Sequence, residues 1–122
     1  MSNNLSILQV TLLCLYAMGM AGGQILFKFA SFALVREASL IVRLLNVLQN
    51  PYFIAAVTLY FLLTVFWVWF LSFTPLSRAY PFLALAFGMV PIVASFVFAE
   101  PLGFRPLVGI LFVLGGLILV AI

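Results

Sequence analysis

The chain has 122 residues, 68% of them hydrophobic and 6% charged, with a net charge of +3. A water-soluble domain carries roughly a quarter charged residues, so this composition cannot cover a water-facing surface and is that of an integral membrane protein. The absence of histidine excludes a histidine-based metal site or catalytic triad, the single Cys14 can form no internal disulfide, and so small a net charge gives no reason to expect nucleic acid as a partner.

The N-terminus, MSNNLSILQV, has no basic stretch before its apolar run and no small-residue cleavage site, so the first run reads as a retained helix. Four apolar segments follow in order, at about 5–32, 51–73, 78–99 and 106–122. About 20 residues of helix cross a hydrocarbon core, and in lipid the backbone must satisfy its own hydrogen bonds, so the segments predict four transmembrane helices. Between the first and second, residues 33–50 place Arg36, Ser39, Arg43, Asn46 and Asn50 three or four apart among Leu, Ile and Val. That is one narrow polar stripe on a helix. It predicts a short amphipathic helix in the membrane interface, ended by Asn50–Pro51; the alternative is an extension of the first helix. FTPLS and EPLGFR are short links, so neighbouring helices run antiparallel and residues 1–122 form a single four-helix domain. Arg36, Arg43 and Arg105 fall on the side of the first and third connections and Arg78 on the other. The positive-inside rule then puts those connections in the cytoplasm and both termini outside, although so small a bias also allows both orientations.

Few residues carry chemistry. Lys28, late in the first helix, reads either as a snorkelling anchor or as a cation facing a polar cavity, where it would bind an anionic group. Gly22 and Gly23 just before it permit a bend or close approach, and Gln24 needs a hydrogen-bond partner in an apolar helix. Arg78 and Tyr80 open the third helix; Arg78 reads as an interface anchor or a phosphate ligand. Pro81 lies in that helix's first turn, where its missing N–H costs little, and Pro91 at mid-helix predicts a kink. Glu100 opposes the macrodipole at the helix's C-terminus and calls for a cation, Arg105 being nearest in sequence. Trp67 and Trp69 read as lipid-facing or interfacial. Gly109 and Gly116 share one face of the fourth helix, beside Gly115, and predict a helix–helix contact that could join two protomers. No metal or cofactor site is indicated.

The GQxxxK pattern of Gly23, Gln24 and Lys28, the segment PLSRAYPFLAL, Glu100 before the last helix and GILFVLGGLILV within it together resemble the drug/metabolite transporter superfamily, over nearly the whole chain. Small multidrug resistance exporters of that superfamily are antiparallel dimers that exchange protons for cationic drugs through a first-helix glutamate. Aligned on Gly23 and Lys28, that glutamate falls at Met20, and the first helix has no acid. The GQxxxK pattern, the run Ala79, Tyr80, Pro81, Leu83, Leu85, Phe87 and the pair Glu100–Pro101 look instead like the small flippase subunits that move undecaprenyl-phosphate-linked aminoarabinose, with Arg78 a departure where a small or apolar residue is expected.

That resemblance implies a dimer, either an antiparallel homodimer or a heterodimer with a similar small chain, in the bacterial inner membrane. It implies translocation of a polyprenyl-phosphate-linked sugar and no enzymatic chemistry. Lys28 and Arg78 would meet the phosphate, Gln24, Tyr80 and Glu100 would complete the substrate site, and helices would rock about Pro91 and the glycine faces. Competing readings are a small-molecule exporter of the multidrug type and a non-transporting membrane subunit of a glycan-assembly complex.

Overall fold

A computed structural model describes residues 5–34 and 39–121, all as helices and their connections. Four helices or helical runs are long and apolar enough to cross a membrane. The first, α1, spans Ile7–Ser31. It starts where it does because the Ser6 hydroxyl accepts from the Gln9 N–H at 3.2 Å while Gln9 Oε1 accepts from the Ser6 N–H at 2.8 Å. This reciprocal box satisfies two of the donors that a helix start leaves open. The Gln9 amide then reaches across the bundle, donating to Thr74 Oγ1 at 2.9 Å and to the Phe73 carbonyl at 3.3 Å. The beginning of α1 is thereby tied to the link before the third span.

The amphipathic helix is α2, Leu40–Gln49, capped by Ser39. It is shorter than the 33–50 expected, and Arg36, on the predicted stripe, lies outside the described residues. Leu40, Ile41, Leu44, Leu45 and Leu48 face outward, while Arg43 and Asn46 are half-buried. Asn50 then caps α3, Pro51–Leu71, by accepting from the N–H groups of Tyr52 and Phe53, with Pro51 where its missing N–H costs least.

The third span, Leu76–Val97, is not the unbroken helix expected. It is a turn of helix α4, Leu76–Ala79, a 3₁₀ segment, Tyr80–Leu83, and α5, Ala84–Val97. Pro81 is the second residue of the 3₁₀ segment rather than part of the first turn of a regular helix. Its ring and absent N–H disfavour the regular i→i−4 pattern there, and the tighter turn absorbs the defect. At Pro91, by contrast, the helix runs on without a break. The last helix, α6, is Phe104–Ala121.

Helix α1 packs against both α3 and α5, and α6 packs against α5. The buried positions include Ala17, Ala21, Ala56, Ala86, Gly88 and Ala94. Small side chains matter because lipid offers no hydrophobic drive for helix association, so close backbone approach and dispersion must supply it. Aromatic rings fill the wider gaps. Tyr16 stacks on Trp67 with centroids 4.9 Å apart, which turns Trp67 inward instead of toward lipid, whereas Trp69 is exposed as expected. At the far end of α1, Phe29 and Phe32 pack edge-on against Phe98, at 5.0 and 5.6 Å. The first and third connections therefore lie at one end of the bundle, and the chain's start and the second connection at the other.

Candidate functional site

Lys28 sits in the last turn of α1, and its ammonium is not alone. Glu100, just past the C-terminus of α5, brings Oε1 to 3.5 Å from Nζ. Glu100 therefore answers Lys28 and not Arg105, its nearest cation in sequence: α3 returns the chain, the third span then runs parallel to α1, and the ends of the two meet. Lys28 also lies over the Phe32 ring, 5.5 Å from its centroid, a cation–π contact that favours keeping the charge there. Each side chain of the ion pair is 46% exposed, so the pair contributes at most about 1 kcal/mol.

Local backbone strain aims the carboxylate. Ala99 has φ 52°, in the left-handed region that glycine normally fills after a helix. An alanine there costs about 1 kcal/mol. The turn it makes sends the chain from Phe98 back across the end of the bundle, with Glu100 against α1.

The pair lines a cleft of about 450 Å³ between α1 and α5, with Gln24, Ser31 and Phe98 also on its walls. Lys28 and Glu100 are the only charged residues lining it among the described residues. A second cleft of about 380 Å³ adjoins it, sharing Gln24 and Val90 and otherwise lined by Met20, Leu83, Ala86, Phe87 and Pro91. The two clefts form a furrow in two parts, one with polar and one with apolar lining, that meet at Gln24 and Val90.

Gln24 is held in place. Its Nε2 donates to the Tyr60 hydroxyl at 2.8 Å, and that hydroxyl donates to the Met20 carbonyl at 2.9 Å. With the amide nitrogen so engaged, Oε1 remains an available acceptor at the furrow. Tyr60 fits because Gly23 has no side chain: a Cβ there would stand 2.5 Å from Tyr60 Cε2. The Tyr60 ring also stacks on Phe27 at 5.4 Å. Sequence reasoning missed Tyr60, since one tyrosine in an apolar run looks like an interfacial ring. The available signal was the need of Gln24 for a partner next to a glycine. Gly22 has open space around its Cβ position and plays no such part.

The expected site does not assemble as one. Arg78 donates from Nη1 to the Val120 carbonyl at 2.6 Å, beside the end of α6, and Tyr80 is exposed on the 3₁₀ segment. Both belong to the end of the bundle that holds Gln9 and Thr74, about 30 Å of helix from Lys28. The structure brings together Gln24, Lys28 and Glu100, adds Pro91 to the apolar end, and leaves Arg78 and Tyr80 apart. On α6, Gly109, Gly115 and Gly116 meet nothing within 4 Å of a built Cβ. Gly115 and Gly116, with Val108, Leu111, Phe112 and Leu119, line an outer groove of about 610 Å³.

The fold defines a multi-pass helical membrane protein, with clefts of polar and apolar lining between α1 and α5. Over 88 residues, 70% of this chain and 60% of the relative, it is 38% identical to a probable 4-amino-4-deoxy-L-arabinose-phosphoundecaprenol flippase subunit ArnF of Aeromonas salmonicida (strain A449). Subunits ArnE of the same description from Pseudomonas fluorescens (strain Pf0-1) and Enterobacter sp. (strain 638) are 42% and 40% identical over 53 residues. Those stretches cover 43% of this chain in each case, and 46% and 50% of the relatives. The chain therefore spans about half the length of the curated relatives it matches. No protein-family model matches, and no solved structure does. The resemblance read from Gly23, Gln24, Lys28 and the PLSRAYPFLAL segment is thus to proteins named as flippase subunits, not as enzymes.

Proposed function

We propose that the chain is a transporter subunit of the bacterial inner membrane that translocates a polyprenyl-phosphate-linked sugar from one leaflet to the other. The observation that carries this reading is the furrow. Such a lipid joins an anionic phosphate and a polar head to a long apolar tail, and the furrow joins Lys28, Glu100 and Gln24 to an apolar wall of Met20, Phe87 and Pro91. The relatives are named for a phosphoundecaprenol-linked amino sugar, which has that anatomy. No bond is made or broken, so nothing beyond binding, shielding and release is asked of the residues. Access would alternate by rocking of the third span against α1.

A single copy offers a half-site open at its side, and pairing with a second small chain would close it. The word subunit in the relatives' names supports this, as does the outer groove of α6, where glycines leave room for another helix. Whether the partner is a copy or a similar chain decides between homodimer and heterodimer.

The test is retention of undecaprenyl phosphate by the purified protein in nanodiscs, read by native mass spectrometry against neutral undecaprenol. Wild type should retain the phosphate lipid selectively. Lys28→Ala should lose that selectivity by about tenfold, the worth of one charge-assisted hydrogen bond, with insertion intact. Equal retention of the two lipids by wild type would overturn the reading.

A further inference from the structure

If the furrow takes a phosphate lipid, its ion pair poses a problem of charge. Lys28 is neutralised by Glu100 at 3.5 Å, so an incoming phosphate must displace a carboxylate and leave it beside a second anion. Among the described residues no other charged side chain lines the polar end to meet the displaced carboxylate. The ligand can meet it. A head that carries an amine as well as a phosphate brings one charge of each sign. Its phosphate replaces Glu100 on Lys28 and its ammonium replaces Lys28 on Glu100. The net charge of the site stays at zero, and no proton need be gained or lost.

We propose that Glu100 is a specificity-determining residue that selects a cationic group on the head of the translocated lipid, with Lys28 holding the phosphate. This rests on the function proposed above and assigns a role to the one acid of the site. Three features fit the exchange. The pair is half-exposed and weak, so it can open, unlike a buried bridge. Gln24 Oε1 adds an acceptor on the same wall, suited to an ammonium or hydroxyl hydrogen. The left-handed turn at Ala99 sets the backbone leading into Glu100 without any contact from Lys28.

The experiment compares three probes by native mass spectrometry in nanodiscs: undecaprenyl phosphate linked to an amino sugar, the same lipid with its amine acetylated, and neutral undecaprenol. They are presented to wild type, Glu100→Gln, Lys28→Ala and, as a folding control, Arg105→Ala. Wild type should hold the free-amine lipid about fivefold more tightly than the acetylated one, the worth of one half-exposed charge pair. Glu100→Gln should bind both phosphate lipids equally, and the acetylated lipid at least as well as wild type does. Lys28→Ala should lose the acetylated lipid to the level of undecaprenol and weaken the free-amine lipid less, since Glu100 still meets its ammonium. If wild type does not distinguish the free from the acetylated amine while Lys28→Ala still loses both, the role of Glu100 is wrong and the phosphate site stands. If Lys28→Ala loses neither, the flippase reading of the furrow itself fails.

Discussion

Gly23 and Gly22 are neighbours with opposite consequences. A methyl at Gly23 collides with the Tyr60 ring at 2.5 Å, while one at Gly22 meets open space. Gly23→Ala should therefore destabilise the protein by about 1–3 kcal/mol, the usual cost of overpacking, and displace Tyr60 from Gln24. Gly22→Ala should be neutral or slightly stabilising, since alanine is the better helix former. Thermal unfolding in detergent decides this, and equal effects would contradict the packing described. At this scale the sequence was legible where the residue itself is costly. Lys28 and Gln24 stand out because a charge and an amide in an apolar helix demand partners. The partners were not legible. Glu100 pairs with Lys28 because α1 and the third span end together, a contact that adjacency in sequence misassigned to Arg105. Tyr60 hid among other aromatics because only its hydroxyl distinguishes it from a lipid-facing ring.

Among the elements, the third span carries the most information. Its proline at 81 is accommodated by a 3₁₀ turn, and its exit by an alanine in the left-handed region. Ala99→Gly should relieve that exit by about 1 kcal/mol, seen as a higher unfolding midpoint in detergent. A lower midpoint would mean that the turn is not under strain. The four spans were legible because some 20 apolar residues bounded by turns admit little else in lipid. The 3₁₀ break was not, since a proline near a helix start is equally at home in a regular first turn. Arg78 and Tyr80 were joined to Lys28 in the expectation because all three are polar in apolar surroundings. Topology separates them: the third span runs parallel to α1, so its first residues lie beside the start of α1 and a full span from Lys28.

For the molecule as a whole, one uncovered side that carries a groove is the outer face of α6. Leu111, Phe112, Ile118 and Leu119 are exposed there, and the glycines between them leave a groove. Gly116→Leu should reduce pairing at least about tenfold in detergent, read by cross-linking or sedimentation, because a bulky side chain blocks close helix approach. The helix itself should persist, since leucine is a good helix former. Unchanged association would move the partner to another face. The ties within the bundle are themselves unequal. Gln9 fastens the beginning of α1 to Thr74 by hydrogen bonds, whereas at the other end ring contacts and a weak ion pair join α1 to the end of the third span among the described residues. In the rocking proposed above, the third span would pivot near Thr74 and its far end would travel furthest. For a helical run of 22 residues, about 33 Å long, a tilt of ~5° carries the far end through ~3 Å. That stroke is nearly the full Lys28–Glu100 separation, so a motion too small to disturb the Gln9 anchor is large enough to open the ion pair.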